Sequence, residues 1–166
     1  MRFGGTRAGV SGKTVGELLK AVVSQVKRVR TGNRLCRRGK EVWRTIHRVI
    51  RIERVVQRTI HRVLGPGLLE GTYQECLAHE LHLNAIPFKL EHPMPVEYKG
   101  IHLDCGYRID LLVEGRLILE LKSVEEISEI HKAQLLTYMK LTGVDTGLLI
   151  NFNVRRLVDG IKRFNL

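Results

Sequence analysis

The apolar positions of this chain repeat first with a helical period and later with a strand period. Between residues 41 and 64, Ile46, Val49, Ile50, Val56, Ile60, Val63 and Leu64 recur at helical spacing, which predicts one long helix. Within it the hexapeptide Arg44–Val49 returns as Arg58–Val63, an offset of 14 residues (58 − 44), close to four helical turns. The two copies are therefore expected to present nearly the same face. Gly65-Pro66-Gly67 stops the helix, and Leu68–Asn84 starts another, with Leu69, Tyr73, Cys76, Leu77, Glu80 and Leu81 along it. Ile86–Glu91 and Met94–Tyr98 read as strands, with Pro87, Pro93 and Pro95 at edges or bends. Tyr107–Val113 and Arg116–Val124 flank Glu114-Gly115 and predict a hairpin. Ile127–Leu141 is an amphipathic helix closed by Gly143, Thr146–Phe152 a buried strand, and Val154–Phe164 a short closing helix. From residue 68 the order is helix, one or two strands, hairpin, helix, strand. That order predicts an α/β (mixed α+β) fold, a mixed sheet flanked by helices.

The first 40 residues follow neither rhythm. Met1–Thr14 is rich in Gly, Ser, Thr and Arg, Val15–Arg30 suits a short amphipathic helix, and Thr31–Lys40 reads as a basic linker. Residues 1–40 are thus expected to form a basic, weakly ordered arm, and 41–166 the folded domain. An Arg-rich transit peptide also fits this stretch, since Glu17 is its one acid. Ser11-Gly12-Lys13-Thr14 has the ending of a phosphate-binding loop. The position that needs Gly holds Arg7, however, and no strand precedes it, so that reading is rejected.

Charge sharpens the division. The chain has 166 residues with 28 Lys+Arg and 17 Asp+Glu, a net of +11. Residues 1–64 hold 17 and 3 (net +14), and residues 65–166 hold 11 and 14 (net −3), which sum to that +11. The basic character belongs to the N-terminal part. Arg44, Arg48, Arg51, Arg58 and Arg62 form a stripe beside the apolar one. It reads equally as a solvated face or as a phosphate-backbone contact, with a partner helix as a third reading. The neighbouring apolar stripe offers a way to pair two chains as a homodimer. No apolar run is long enough to span a bilayer, no secretory signal follows Met1, and Cys36, Cys76 and Cys105 are too scattered for a disulfide framework. The expected setting is the cytoplasm, with free thiols and no membrane.

The hairpin carries the chemistry. Leu117, Leu119 and Leu121 share one strand face, and Ile118, Glu120 and Lys122 the other. Asp110 is embedded in the apolar run Ile109–Val113. Charges there are costly unless paired or bound to metal. A structural Asp110–Lys122 pair would explain one carboxylate and leave Glu120 unaccounted for. Register decides the matter. A strict two-residue turn at Glu114-Gly115 sets Asp110 against Leu119, whereas a three-residue loop or one bulge sets it against Glu120. In the second case two carboxylates converge, a donor set for Mg2+ or Mn2+.

Asp110 followed by Glu120-Leu121-Lys122 resembles the signature of the PD-(D/E)XK nuclease superfamily. Gln134 and Tyr138, one helical turn apart, are similar to the motif of its RecB-type members. Gly67-Leu68-Leu69-Glu70-Gly71-Thr72-Tyr73 fits the pattern that names the GxxExxY family, a branch of that superfamily. Leu64–Gly67, Leu103–Tyr107 and Gly147–Asn153 are similar to it too. The likeness covers about residues 50–166, with a first helix lengthened and charged by the repeat. It implies a three-layer, restriction-endonuclease-like core: a helix, three strands, a helix and a fourth strand. It also implies a metal-dependent nuclease, with DNA as the expected substrate. Asp110, Glu120, the Leu121 carbonyl and Glu70 would ligate Mg2+ or Mn2+. Lys122 would position the attacking water, and Gln134 and Tyr138 would support the site or touch substrate.

Plainer readings stand beside these. Glu70 also suits a helix N-terminus through the dipole. Tyr138 on an apolar stripe fits a core as well as a site. His61, His79, His82 and His131 show no coherent ligand spacing, His79 and His82 fit surface or capping positions, and Cys76 and Cys105 read as small buried side chains. The rival function is a binding module that keeps the nuclease fold without turnover.

Overall fold

The computed structural model describes residues 37–104 and 106–166. Residues 1–36 of the expected arm, with its expected helix at Val15–Arg30 and the Ser11–Thr14 segment, lie outside them, as does Cys105, whereas residues 37–40 belong to the first helix.

Helix α1 (Arg37–Val55) passes into a π-helical turn (Val56–His61) and a short helix α2 (Arg62–Leu64). The expected single helix is thus interrupted, and the two copies of the repeat do not present the same face. Ile46 and Ile60 are both buried, but Val49 is 3% exposed and Val63 76%. His47 lies at the surface, whereas His61 is buried with Nε2 2.9 Å from the Val154 carbonyl. The wider π turn rotates the second copy, so its histidine points inward and its last valine outward. The apolar stripe of α1 is spent within the chain, since Val49, Ile52, Val55, Val56 and Ile60 pack against the sheet.

Helix α3 (Glu70–Leu83) follows the Gly-Pro-Gly stop. Strand β1 (Phe88–Pro93) leads to a small two-stranded ribbon, β2 (Val96–Tyr98) and β3 (Ile101–Leu103). Then come β4 (Arg108–Val113), β5 (Leu117–Lys122), helix α4 (Glu129–Thr142) and β6 (Thr146–Asn151). The expected closing helix is mostly a strand: α5 covers only Leu157–Gly160, and β7 runs Ile161–Asn165 antiparallel to β6. Gly160 ends the helix, and pairing with the exposed edge of β6 buries Phe164.

The main sheet has the order β1-β4-β5-β6-β7. Its β5–β6 pair is parallel and the others antiparallel, so the sheet is mixed. β7 is a fifth strand on the four expected. One face packs Tyr73, Leu77 and Leu81 of α3 and the α1 stripe against Leu119, Leu121 and Ile150. The other packs Leu135, Tyr138 and Met139 of α4 against Ile118 and Leu149. Two apolar faces, each covered by helices, make the expected three layers. Gly147 lets α4 approach, because a Cβ there would come within 2.8 Å of Leu135 and Met139 side-chain atoms.

Candidate active site

The β4–β5 hairpin closes through a three-residue loop. Val113 pairs with Leu117, Leu112 with Ile118 and Leu111 with Leu119, while the Arg116 N–H donates to the Val113 carbonyl at 3.0 Å. Glu114 (φ 50°) and Gly115 (φ 64°) take the left-handed turn this loop requires. Continuing the register by one residue sets Asp110 across from Glu120, the irregularity that the convergence of carboxylates needs. Ladder pairing stops there: an Asp110 carboxylate oxygen accepts the Leu121 N–H at 2.7 Å. Asp110 is thus turned into the seam between the strands rather than out to solvent.

Glu120 is almost fully buried, at 1% exposed. Its Oε1 accepts from Lys122 Nζ at 2.9 Å, and its Oε2 is buried without a hydrogen-bond partner. Lys122 Nζ also donates to the Leu121 carbonyl at 2.8 Å and lies 3.6 Å from Glu70 Oε1. Desolvation, reinforced by the Asp110 charge, pushes the Glu120 carboxyl up to about 7. Burial also raises Asp110, against the Leu121 N–H and the Lys122 charge. Burial alone would lower Lys122, but Glu120, Glu70 and Asp110 together hold it above the usual lysine value. Fully ionised, Asp110, Glu120 and Glu70 against Lys122 leave −3 + 1 = −2, a charge that suits one divalent cation.

The donor set fits a hard cation. It offers two carboxylates at the seam, an adjacent backbone carbonyl and a buried oxygen with no other partner. Among the described residues no three or more His, Cys, Asp or Glu cluster as a ready-made metal cage. Such a site would have to combine main-chain and water oxygens with its carboxylates.

A model of the PD-(D/E)XK nuclease superfamily matches residues 47–164. The chain belongs to that superfamily. No curated protein sequence matches it. The crystal structure of SSO0001 is similar at a TM-score of 0.45 and 18% identity, covering 92% of this chain and 78% of that one; a likeness at this level carries no argument.

On this superfamily fold, the other expected site residues fall into two groups. Glu70 opens α3 and reaches Lys122, so it does more than favour a helix end. Gln134 donates to the Tyr138 hydroxyl at 2.9 Å. Tyr138 is buried, and burial raises its phenol, with the Glu120 and Asp110 charges adding to the rise. These residues converge. Arg44, Arg48, Arg51 and Arg62 do not, and the Arg58 side chain lies outside the described residues. Arg48 pairs with Glu114, and Arg51 donates to the Asn84 carbonyl at 2.6 Å, both at the far end of the hairpin and of α3. Arg44 and Arg62 are exposed. His131 completes a capping box with Ser128, accepting its N–H at 3.2 Å.

Three supporting residues escaped sequence reasoning. Tyr73 stacks on Phe152 at 4.1 Å, donates to the Gly65 carbonyl at 2.7 Å and accepts the Leu68 N–H at 3.2 Å. It thereby fixes the loop that delivers Glu70. Asn151 braces the exit of β5: its amide donates to the Val124 carbonyl at 2.8 Å and its carbonyl accepts the Val124 N–H at 3.1 Å. Gln74 reaches the Asp110 carbonyl at 3.4 Å. For Gln74 the available signal was its place one helical turn after Glu70. For Asn151 it was a polar residue ending an apolar strand.

Proposed function

We propose that this chain is a divalent-metal-dependent nuclease that hydrolyses DNA phosphodiester bonds, in the GxxExxY branch and in the cytoplasm. The observation that carries the reading is the buried Glu120 carboxyl, set against Asp110 with one oxygen unpartnered. Asp110, Glu120, Glu70 and the Leu121 carbonyl would hold Mg2+ or Mn2+. When bound, the ion polarises a backbone phosphate and acidifies a coordinated water. Lys122 already grips two of those oxygens through its ammonium. It has to release them for a cation, and its charge is then available to a water or to the phosphate oxygens as negative charge builds. Tyr138, kept protonated and braced by Gln134, supplies a neutral hydrogen-bond donor beside the carboxylates.

The same Lys122 grip favours a second reading, a nucleic-acid-binding module without turnover. Incubation with labelled single- and double-stranded DNA, with Mg2+, with Mn2+ and with EDTA, separates the two. Cleavage only with metal is expected. Salt-dependent binding with no cleavage under any condition would favour the module.

A further inference from the structure

A second charged recess lies away from the carboxylates. A groove of about 610 Å3 separates α1 from the C-terminal end of α3 and the tip of the β4–β5 hairpin. Arg44, Arg48, Arg51 and Arg54 line one wall, and Asn84 and Glu114 the other. Four cations against one carboxylate leave the lining at 4 − 1 = +3. Two of the arginines are anchored, Arg48 on Glu114 and Arg51 on the Asn84 carbonyl. Anchoring pre-orients them, so a ligand need not pay to order those long side chains. Arg48 Nη1 nevertheless remains buried without a hydrogen-bond partner, while Arg44 and Arg54 are exposed at the rim. Exposed arginines at the rim, beside two guanidiniums already anchored, suit an anion with several oxygens.

The groove is remote from the site. Asn84 caps the end of the 14-residue α3 opposite Glu70, about 21 Å away at ~1.5 Å per residue, while Glu114 on the groove wall is four residues from Asp110, at most about 14 Å. Phosphates along one strand of a duplex advance ~3.4 Å per nucleotide, so about four to six nucleotides separate the two places.

We propose that this groove is a second seat for the phosphodiester backbone, holding a nucleic acid about four to six nucleotides away from the carboxylates. The use of that seat in cleavage rests on the nuclease reading; the binding itself does not. Residues 65–166, at net −3, repel phosphate, and the groove along α1 supplies attraction at a fixed distance from the site.

The test uses the full-length chain and R44Q/R54Q, which removes two rim charges and leaves both anchored arginines in place. K99Q/K140Q, taken from the ribbon tip and the opposite helical layer, is the charge-matched control. Anisotropy with a 24-base-pair duplex in EDTA should show R44Q/R54Q binding about tenfold more weakly. Its slope of log affinity against log salt should fall by about two, near 0.9 per lost contact. The control should move neither by a comparable amount. With Mg2+, R44Q/R54Q should raise KM for the 24-mer and leave kcat unchanged. Equal weakening in the control pair would reduce the effect to overall charge and overturn the proposal. So would unchanged affinity in R44Q/R54Q, or tripolyphosphate binding that R44Q/R54Q abolishes while duplex binding stays intact. Cleavage absent from the wild type would defeat the nuclease reading alone, because the anisotropy arm does not depend on it.

Discussion

Lys122 is the residue on which the chemistry turns. Its ammonium holds Glu120 Oε1 and the Leu121 carbonyl, two oxygens that a metal would use. The amine and the cation therefore compete. Lys122→Met should bind Mn2+ several-fold more tightly than wild type by calorimetry, while cleavage falls by 100-fold or more. Unchanged Mn2+ affinity would show that the two do not share those oxygens. Glu120 gives a pH prediction. Its carboxyl is raised from 4.5 to about 7, chiefly by burial. The folded state therefore holds the proton more tightly than the unfolded chain. The metal-free protein should lose stability as pH rises from about 4.5 to 7 and lose no more from this group above that. One pKa unit corresponds to about 1.4 kcal/mol, so the change is at most a few kcal/mol. Thermal melts in EDTA should show Glu120→Gln flattening this slope. A slope of the same size in Glu120→Gln would assign it to other groups.

At the scale of elements, the site depends on loops fixed from below. The Tyr73 hydroxyl ties Gly65 and Leu68 to α3, and the helix then presents Glu70. Tyr73→Phe keeps the stack on Phe152 and removes both hydrogen bonds, at a cost of about 1–2 kcal/mol. Denaturant unfolding should show that loss, together with a drop in cleavage larger than the change in folded fraction explains. Gly160 supports the same end of the sheet, since a Cβ there would sit 2.2 Å from the Asn151 carbonyl oxygen. Gly160→Ala should therefore cost about 1–3 kcal/mol through a shift of backbone.

Much of this layer was legible in the sequence. The alternation in β5 separated Glu120 and Lys122 from the leucines, and the need for Asp110 to meet Glu120 forecast an irregular hairpin loop. What escaped has a physical cause. The π turn leaves the helical period nearly intact over short stretches, so nothing in the spacing betrays the rotation of the second repeat. Residues 161–165 became a strand because the open edge of β6 was there to pair with, a tertiary circumstance that overrides a short helical pattern.

For the whole molecule, charge is divided by place. The carboxylates gather at one end of the α3 layer, and the arginine groove lies at the other, about 21 Å from Glu70 along the helix. The sequence showed the arginine stripe but not its direction, because helical spacing says which residues share a face and not what that face meets. Only packing reveals that Arg48 and Arg51 are anchored. Among the described residues no helix is long and apolar enough to cross a membrane. The central claim is that Asp110, Glu120 and Lys122 together cleave a phosphodiester with a divalent metal. Single-turnover cleavage of end-labelled DNA in Mg2+ tests it most directly, comparing the wild type with Asp110→Ala and Lys122→Ala after circular dichroism has verified their folding. Loss of cleavage in both variants by 100-fold or more is expected, and cleavage that survives either substitution at the wild-type rate would contradict the account.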